Sequence, residues 1–256
     1  MMSQAIGKTI PLSLPRRLIC DLLHFAKQIP SVPVQRRMNL RRLCEARDLA
    51  MPRIGWCALF LKGFGRMAAE IPQFRRAYMS FPYSRLYEHP CSIASVAFER
   101  YYQNEAAVLF GHFRSPESQT LTALEDSVRH YKETPLQEIG LFRRALFVSK
   151  FPRPLRRFVW WLGLNQSGYK RARRMGTFGV SVYSGLGSES LHPLSPLTST
   201  LNYGVIGEDG TVTVRIIYDH RVMDGSTVAR ALALLEEIMN HDIRAELLGM
   251  PSAQSA

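Results

Sequence analysis

The stretch YDHRVMDG, residues 218–225, sets His220 four residues ahead of Asp224, which Gly225 follows directly. An imidazole titrates near neutrality, so it can take a proton from a reacting group and return it. A turn alone would need only the glycine. From spacing alone, a plainer reading stands beside the catalytic one: Asp224 caps a helix and His220 is a turn residue.

The surrounding elements decide what such a histidine can reach. In GEDGTVTVRIIYDH an Asp209-Gly210 turn leads into Val212, Val214 and Ile216, alternating with Thr211, Thr213 and Arg215. That is a period-two strand with one face buried. STVARALALLEEIMN follows as a helix with Val228, Leu232, Leu235 and Met239 on one stripe. His220 thus stands where a strand hands over to a helix, at a sheet edge where ligands commonly bind in mixed α/β folds. The helix N-terminus there favours nearby negative charge.

Upstream, an extended segment over Val32–Met38 leads to a helix with Asn39 as N-cap. MPRIGWCALFLKGFGRMAAEIPQF reads as a buried helix, with Pro52 in its first turn and Pro72 ending it. SIASVAFERYY and AAVLFGHF pair as strands joined by Gln103–Glu105, and an amphipathic helix starts near Pro116–Ser118. GTFGVSVYSGLG suits a strand running into a loop. These elements predict a single α/β (α+β two-layer sandwich) domain over residues 1–247 and a flexible tail over 248–256.

Composition is that of an ordinary globular chain, 46% apolar and 21% charged over 256 residues, with no apolar run of spanning length and no secretory leader. Cys20, Cys44, Cys57 and Cys91 are scattered without a CxxC pair, which points away from a zinc site and a disulfide framework and towards a cytoplasmic location. The net charge of +12 is localised. No Asp or Glu occurs from Ile139 to Ser188, where Arg143, Arg144, Lys150, Arg153, Arg156, Arg157, Lys170, Arg171, Arg173 and Arg174 all fall.

DHRVMDG resembles the signature of the acyltransferase (E2) catalytic domains of 2-oxoacid dehydrogenase complexes, relatives in fold of chloramphenicol acetyltransferase. The shared His-x-x-x-Asp-Gly is met by His220, Asp224 and Gly225. Asp219 stands where the chloramphenicol enzymes carry a second histidine. IPLSLPRRLICDLLHFAKQIPSVPVQRRMNLRRLCEAR is similar to the opening of that domain, IGWCALFLKGFGRMAAEIPQF to its long apolar helix, and GTFGVSVYSGLG to its Thr-Phe-x-Ile-Ser stretch; together they run from about Ile10 to Asn240.

The resemblance implies a mixed central sheet flanked by helices and an acyl transfer without metal or acyl-enzyme. His220 is the general base and Ser181 the oxyanion donor, with Ser184, Ser195, Thr198 and Thr200 as alternatives. Asp224 is expected to hold the loop through a basic partner such as an arginine, and His192 to be a structural loop residue. The expected co-substrate is a coenzyme A thioester, or one borne by an acyl carrier protein. In the family the histidine and serine meet between subunits of a trimer, so a homotrimer is expected, with further assembly left open.

Two departures from the family shape the expectation. No lipoyl domain precedes the catalytic region, which suggests a stand-alone acyltransferase; a non-catalytic trimeric scaffold of the same fold is the alternative. Residues 143–174 are also more basic than the family pattern, with Trp160 and Trp161 beside Arg156 and Arg157. They could grip coenzyme A or carrier phosphates, with Arg171, Arg173 and Arg174 as candidates, lie on an anionic membrane face, or pack within the trimer. Nucleic acid is not expected, since the basic residues interleave with large apolar ones.

Overall fold

A computed structural model describes residues 7–250. Ser13 opens α1 (Leu14–Ala26) by accepting the Arg16 N–H. β1 (Ser31–Asn39) and α2 (Arg41–Leu49) follow, and here Leu40 rather than Asn39 occupies the cap position. Asn39 still serves the helix start, because its Oδ1 accepts the Arg41 N–H. α3 (Trp56–Glu70) begins four residues after Pro52, which lies in the preceding linker and not in the first turn as predicted. Pro72 ends it through a short 3-10 turn.

A two-stranded ladder, β2 (Arg76–Met79) with β3 (Arg85–Glu88), precedes the hairpin of β4 (Ile93–Tyr102) and β5 (Glu105–Arg114). Gln103 and Asn104 form the hairpin turn with φ of 50° and 65°, the left-handed pair that matches strand twist. α4 (Leu121–Glu133) starts beyond the predicted Pro116–Ser118, which is a separate 3-10 turn; Thr120 caps α4 by accepting the Ala123 N–H.

Three helices, α5 (Gly140–Val148), α6 (Arg153–Asn165) and α7 (Gly168–Met175), then lead to β6 (Phe178–Val180), β7 (Ser199–Tyr203) and β8 (Thr211–Asp219). Gly176, with φ of 92°, makes the entry to β6; a Cβ there would stand 2.9 Å from the Ile93 carbonyl oxygen. α8 (Gly225–Ile238), a π turn (Met239–Ile243) and α9 (Arg244–Leu248) close the described chain. Most of the predicted tail, from residue 251, lies outside the described residues.

The main sheet has the order β1-β8-β7-β6-β4-β5. β7, β6 and β4 run parallel in the middle, with antiparallel pairs at both ends. Phe60, Phe64 and Met67 of α3 and Leu232 and Leu235 of α8 pack with Phe178, Leu201, Val214 and Ile216 of the sheet in one large core. A second cluster joins Phe25, Phe142 and Trp160 to Leu109 of β5. β8 departs from its expected one-sided burial: from Val214 to Asp219 every residue is buried. Its second face lies under the loop between β6 and β7, whose Ser190 carbonyl accepts from Arg215.

Candidate active site

The turn after β8 is held from below. Asp219, with its side chain 2% exposed, accepts the Arg221 backbone N–H at 3.0 Å, Nε at 2.9 Å and Nη2 at 2.7 Å. The Arg221 guanidinium lies 4.2 Å from the centroid of the Tyr78 ring. The His220 N–H goes to the Pro30 carbonyl at 3.1 Å. With both neighbours fixed, the His220 side chain is left half exposed, and its Nδ1 lies 3.6 Å from Asp224 Oδ1. The Tyr218 ring is 5.6 Å away, centroid to centroid.

Asp224 departs from its expected role within this chain. Its side chain is 79% exposed and faces His220; among the described residues no arginine reaches it, and the aspartate–arginine clamp belongs to Asp219 and Arg221. Asp224 is the N-cap residue of α8, but only its backbone carbonyl serves the helix, accepting the Thr227 and Val228 N–H groups. Gly225 leaves room for the Tyr218 hydroxyl, which would stand 3.3 Å from an added Cβ.

Ser181 follows directly on β6, and its N–H bonds the Leu201 carbonyl at 3.1 Å. The ladder register sets Val180 opposite Leu201 and Leu201 opposite Ile216, so Ser181 is level with Asn202 and Arg215. His220 lies five residues further along β8 and two strands across. At ~3.3 Å per residue and ~4.8 Å per strand, the two backbones are roughly 20 Å apart. The hydroxyl and the imidazole of one chain therefore do not share a site; a site containing both takes them from different chains.

The composition of the Ser181 row was not legible in the sequence. Gln35 pairs with Arg215, and Arg215 with Asn202, across β1, β8 and β7. Arg215 gives Nε and Nη2 to Gln35 Oε1, and Nη1 to Asn202 Oδ1 and the Ser190 carbonyl. Asn202 in turn donates Nδ2 to the Ser181 carbonyl at 2.5 Å. Arg215, expected on an open face, is buried, and its donors are matched by these acceptors. Polar residues within an apolar strand were the only available sign.

The basic segment divides under burial. Arg171 is buried and gives its donors to the Tyr78, Leu164 and Pro196 carbonyls, and burial lowers its pKa to about 10; it ties β2, the end of α6 and the loop before β7 together and cannot grip a phosphate. Arg173 and Arg174 are exposed, with Arg173 over the Tyr169 ring. Trp160 is buried against Phe25, and Trp161 stacks on Phe158 and meets Phe81 edge-on, so the tryptophans pack and do not form an outward membrane anchor. Arg156 is buried against Asp21. His192 bonds the Ser31 hydroxyl at 2.8 Å.

No group of three or more His, Cys, Asp or Glu side chains that could hold a metal occurs among the described residues. No helix among them is long and apolar enough to cross a membrane.

This arrangement, a mixed six-stranded sheet with an exposed histidine where β8 meets α8, defines a chloramphenicol acetyltransferase-like fold. Three solved structures carry that statement. A probable dihydrolipoamide acetyltransferase from Listeria monocytogenes 4b F2365 is 17% identical with a TM-score of 0.63, over 98% of each chain. The dihydrolipoamide acetyltransferase of Azotobacter vinelandii is 17% identical with a TM-score of 0.67, over 96% of each chain. In that protein a serine, a histidine and an asparagine four residues after it have been investigated for their roles in the catalytic mechanism. Chloramphenicol acetyltransferase is 12% identical with a TM-score of 0.50, over 90% of this chain and 96% of that one. No family model matches the sequence, and no curated protein does. At these identities the likeness is one of fold.

Proposed function

We propose that the protein is an acyltransferase that moves an acyl group from a coenzyme A or carrier-bound thioester to a thiol, hydroxyl or amine. The observation that carries this reading is the presentation of His220, half exposed on a turn whose flanking residues are locked. With Nδ1 turned to Asp224, Nε2 is the nitrogen free to work. It takes the proton from the acceptor as the acceptor attacks the thioester carbonyl. The tetrahedral oxyanion is stabilised by the Ser181 hydroxyl of a neighbouring chain. Collapse expels the thiolate, which regains the proton from the imidazolium. Transfer is direct, with no acyl-enzyme.

The roughly 20 Å ladder separation of His220 from Ser181 within one chain supports a homo-oligomer, and a trimer follows from the resemblance to the E2 domains. Arg173 and Arg174, exposed at the end of α7, are the candidates for the donor's phosphates.

The test is a panel of acyl-coenzyme A thioesters with thiol, hydroxyl and amine acceptors, read by mass spectrometry for free thiol and acylated product together. Wild type is expected to form both from at least one pair. His220→Ala should lower turnover by about 10²–10⁴-fold while the oligomer survives. Equal turnover in both proteins, or no transfer across the panel, would leave a scaffold of this fold.

A further inference from the structure

The face of α5 that meets the N-terminus of α1 combines two features that the proposed chemistry leaves unused. Gly140, Arg143, Arg144, Phe147 and, just beyond the helix, Lys150 fall at spacings that keep them on one side of α5. With Leu14 of α1 and Tyr102 of β4 they line an open cleft of about 580 Å³, a size ordinary for a small-ligand site. No acidic side chain lines it. Elsewhere in the same basic block, Arg156 and Arg157 face Asp21; among the described residues Arg143, Arg144 and Lys150 have no such partner.

Three uncompensated cations around one cleft attract an anion. The apolar part limits which anion. Phe147 is 57% exposed between the cations, and Ile10 and Leu12, just upstream of the lining Leu14, are 74% and 51% exposed. Inorganic phosphate or a polar phosphoester would satisfy the cations and leave these groups in water. A bilayer with acidic headgroups satisfies both, with cations at headgroup depth and apolar side chains at the acyl boundary.

We infer that the α5 cleft is a docking site for acidic phospholipid headgroups at a bilayer surface, centred on Arg143, Arg144 and Lys150, with Phe147 inserted beside them. The site does not depend on the acyltransferase reading. It also differs from a tryptophan anchor, because Trp160 is buried in the second core.

Co-sedimentation with vesicles of phosphatidylcholine alone, or with about a third phosphatidylserine, tests it. Wild type should bind the acidic vesicles and not the neutral ones. Each neutralised cation should cost about 5-fold in partition. The triple variant Arg143→Gln/Arg144→Gln/Lys150→Gln should then lose about 100-fold, and Phe147→Ser should lose binding with its charge intact. The equal-charge control Arg42→Gln/Lys170→Gln/Arg230→Gln, on exposed sites outside the cleft, should retain most binding.

Equal losses in the two triple variants would mean diffuse attraction and overturn the site. So would wild type that ignores acidic vesicles. Displacement by 10 mM inorganic phosphate at constant ionic strength would assign the cleft to a soluble phosphate and overturn the membrane assignment.

Discussion

Asn202 reaches across from β7 to hold the backbone carbonyl of Ser181, with the Nδ2–O distance 2.5 Å. Asn202 is fully buried, and its own Oδ1 is the acceptor for Arg215. The loop that begins at Ser181 is thus anchored by a polar row that starts at Gln35 on the edge strand. Asn202 touches no reacting atom, so its role would be positioning. Asn202→Leu should lower kcat by about 10-fold to 100-fold with KM little changed, as expected for a misplaced oxyanion donor. In a Ser181→Ala background the same change should cost almost nothing further. Additive losses in the double-mutant cycle would show that Asn202 acts by general stability alone.

Because one chain cannot bring its own Ser181 to its own His220, two dead variants should rescue each other. Ser181→Ala alone should lower turnover by about 10²–10³-fold. Mixed after dissociation in equal amounts with His220→Ala, random reassembly gives a neighbouring pair with both groups intact at about one interface in four. Recovery to about a quarter of wild-type turnover is therefore expected. Mixtures no more active than either parent would place both groups in the same chain's site and contradict the register.

Much of this fold was legible because its strands and helices carry strong periodicity. The stripe of Val228, Leu232, Leu235 and Met239 is buried as the spacing requires, and the β4–β5 hairpin turns where it was expected. The position of His220 at the β8–α8 junction was legible for the same reason. Long-range pairing was not. Arg215 sits in a perfect alternation that reads as an open face, and only the loop over Ser190 reveals that the face is closed. Asp224 followed the motif in place but not in partner, since the neighbouring Asp219 takes Arg221. Arg171 and Arg156 carry the same charge as the exposed arginines beside them, and only tertiary burial separates the two kinds.

The basic segment is fastened to α1 by Asp21 and Arg156, and this pair should dominate its stability. The Asp21 side chain is 2% exposed and meets Arg156 Nε at 2.6 Å, with Arg157 Nε at 4.0 Å. Asp21→Ala leaves Arg156 buried with its charge uncompensated and should cost about 3–5 kcal/mol in urea unfolding. Replacing both partners, as in Asp21→Leu/Arg156→Met, removes the stranded charge and should recover most of that loss. A single substitution that costs less than about 1 kcal/mol would mean that α6 is not docked on α1 as described.

His89 gives the fold an acid-sensitive point away from the proposed chemistry. Its ring is buried edge-on against Tyr87 at 5.0 Å, and neither nitrogen has a hydrogen-bond partner among the described residues. Burial, assisted by the nearby Arg171 guanidinium, lowers its pKa from 6.5 to about 4, so the folded protein keeps the ring neutral where the unfolded chain would protonate it. Between these values the unfolded state binds more protons, so stability rises with pH across that window. The contribution is fully present above about pH 6.5 and is lost progressively down to about pH 4, on the order of 3 kcal/mol in all. His112, also lowered to about 4 by burial, adds a loss of the same sign. His89→Leu roughly keeps the volume and removes the titrating group. Urea midpoints taken from pH 7.5 to 4.5 should therefore fall less steeply in the variant, while a slope equal to wild type would show that the His89 ring reaches water and a proton in the folded state.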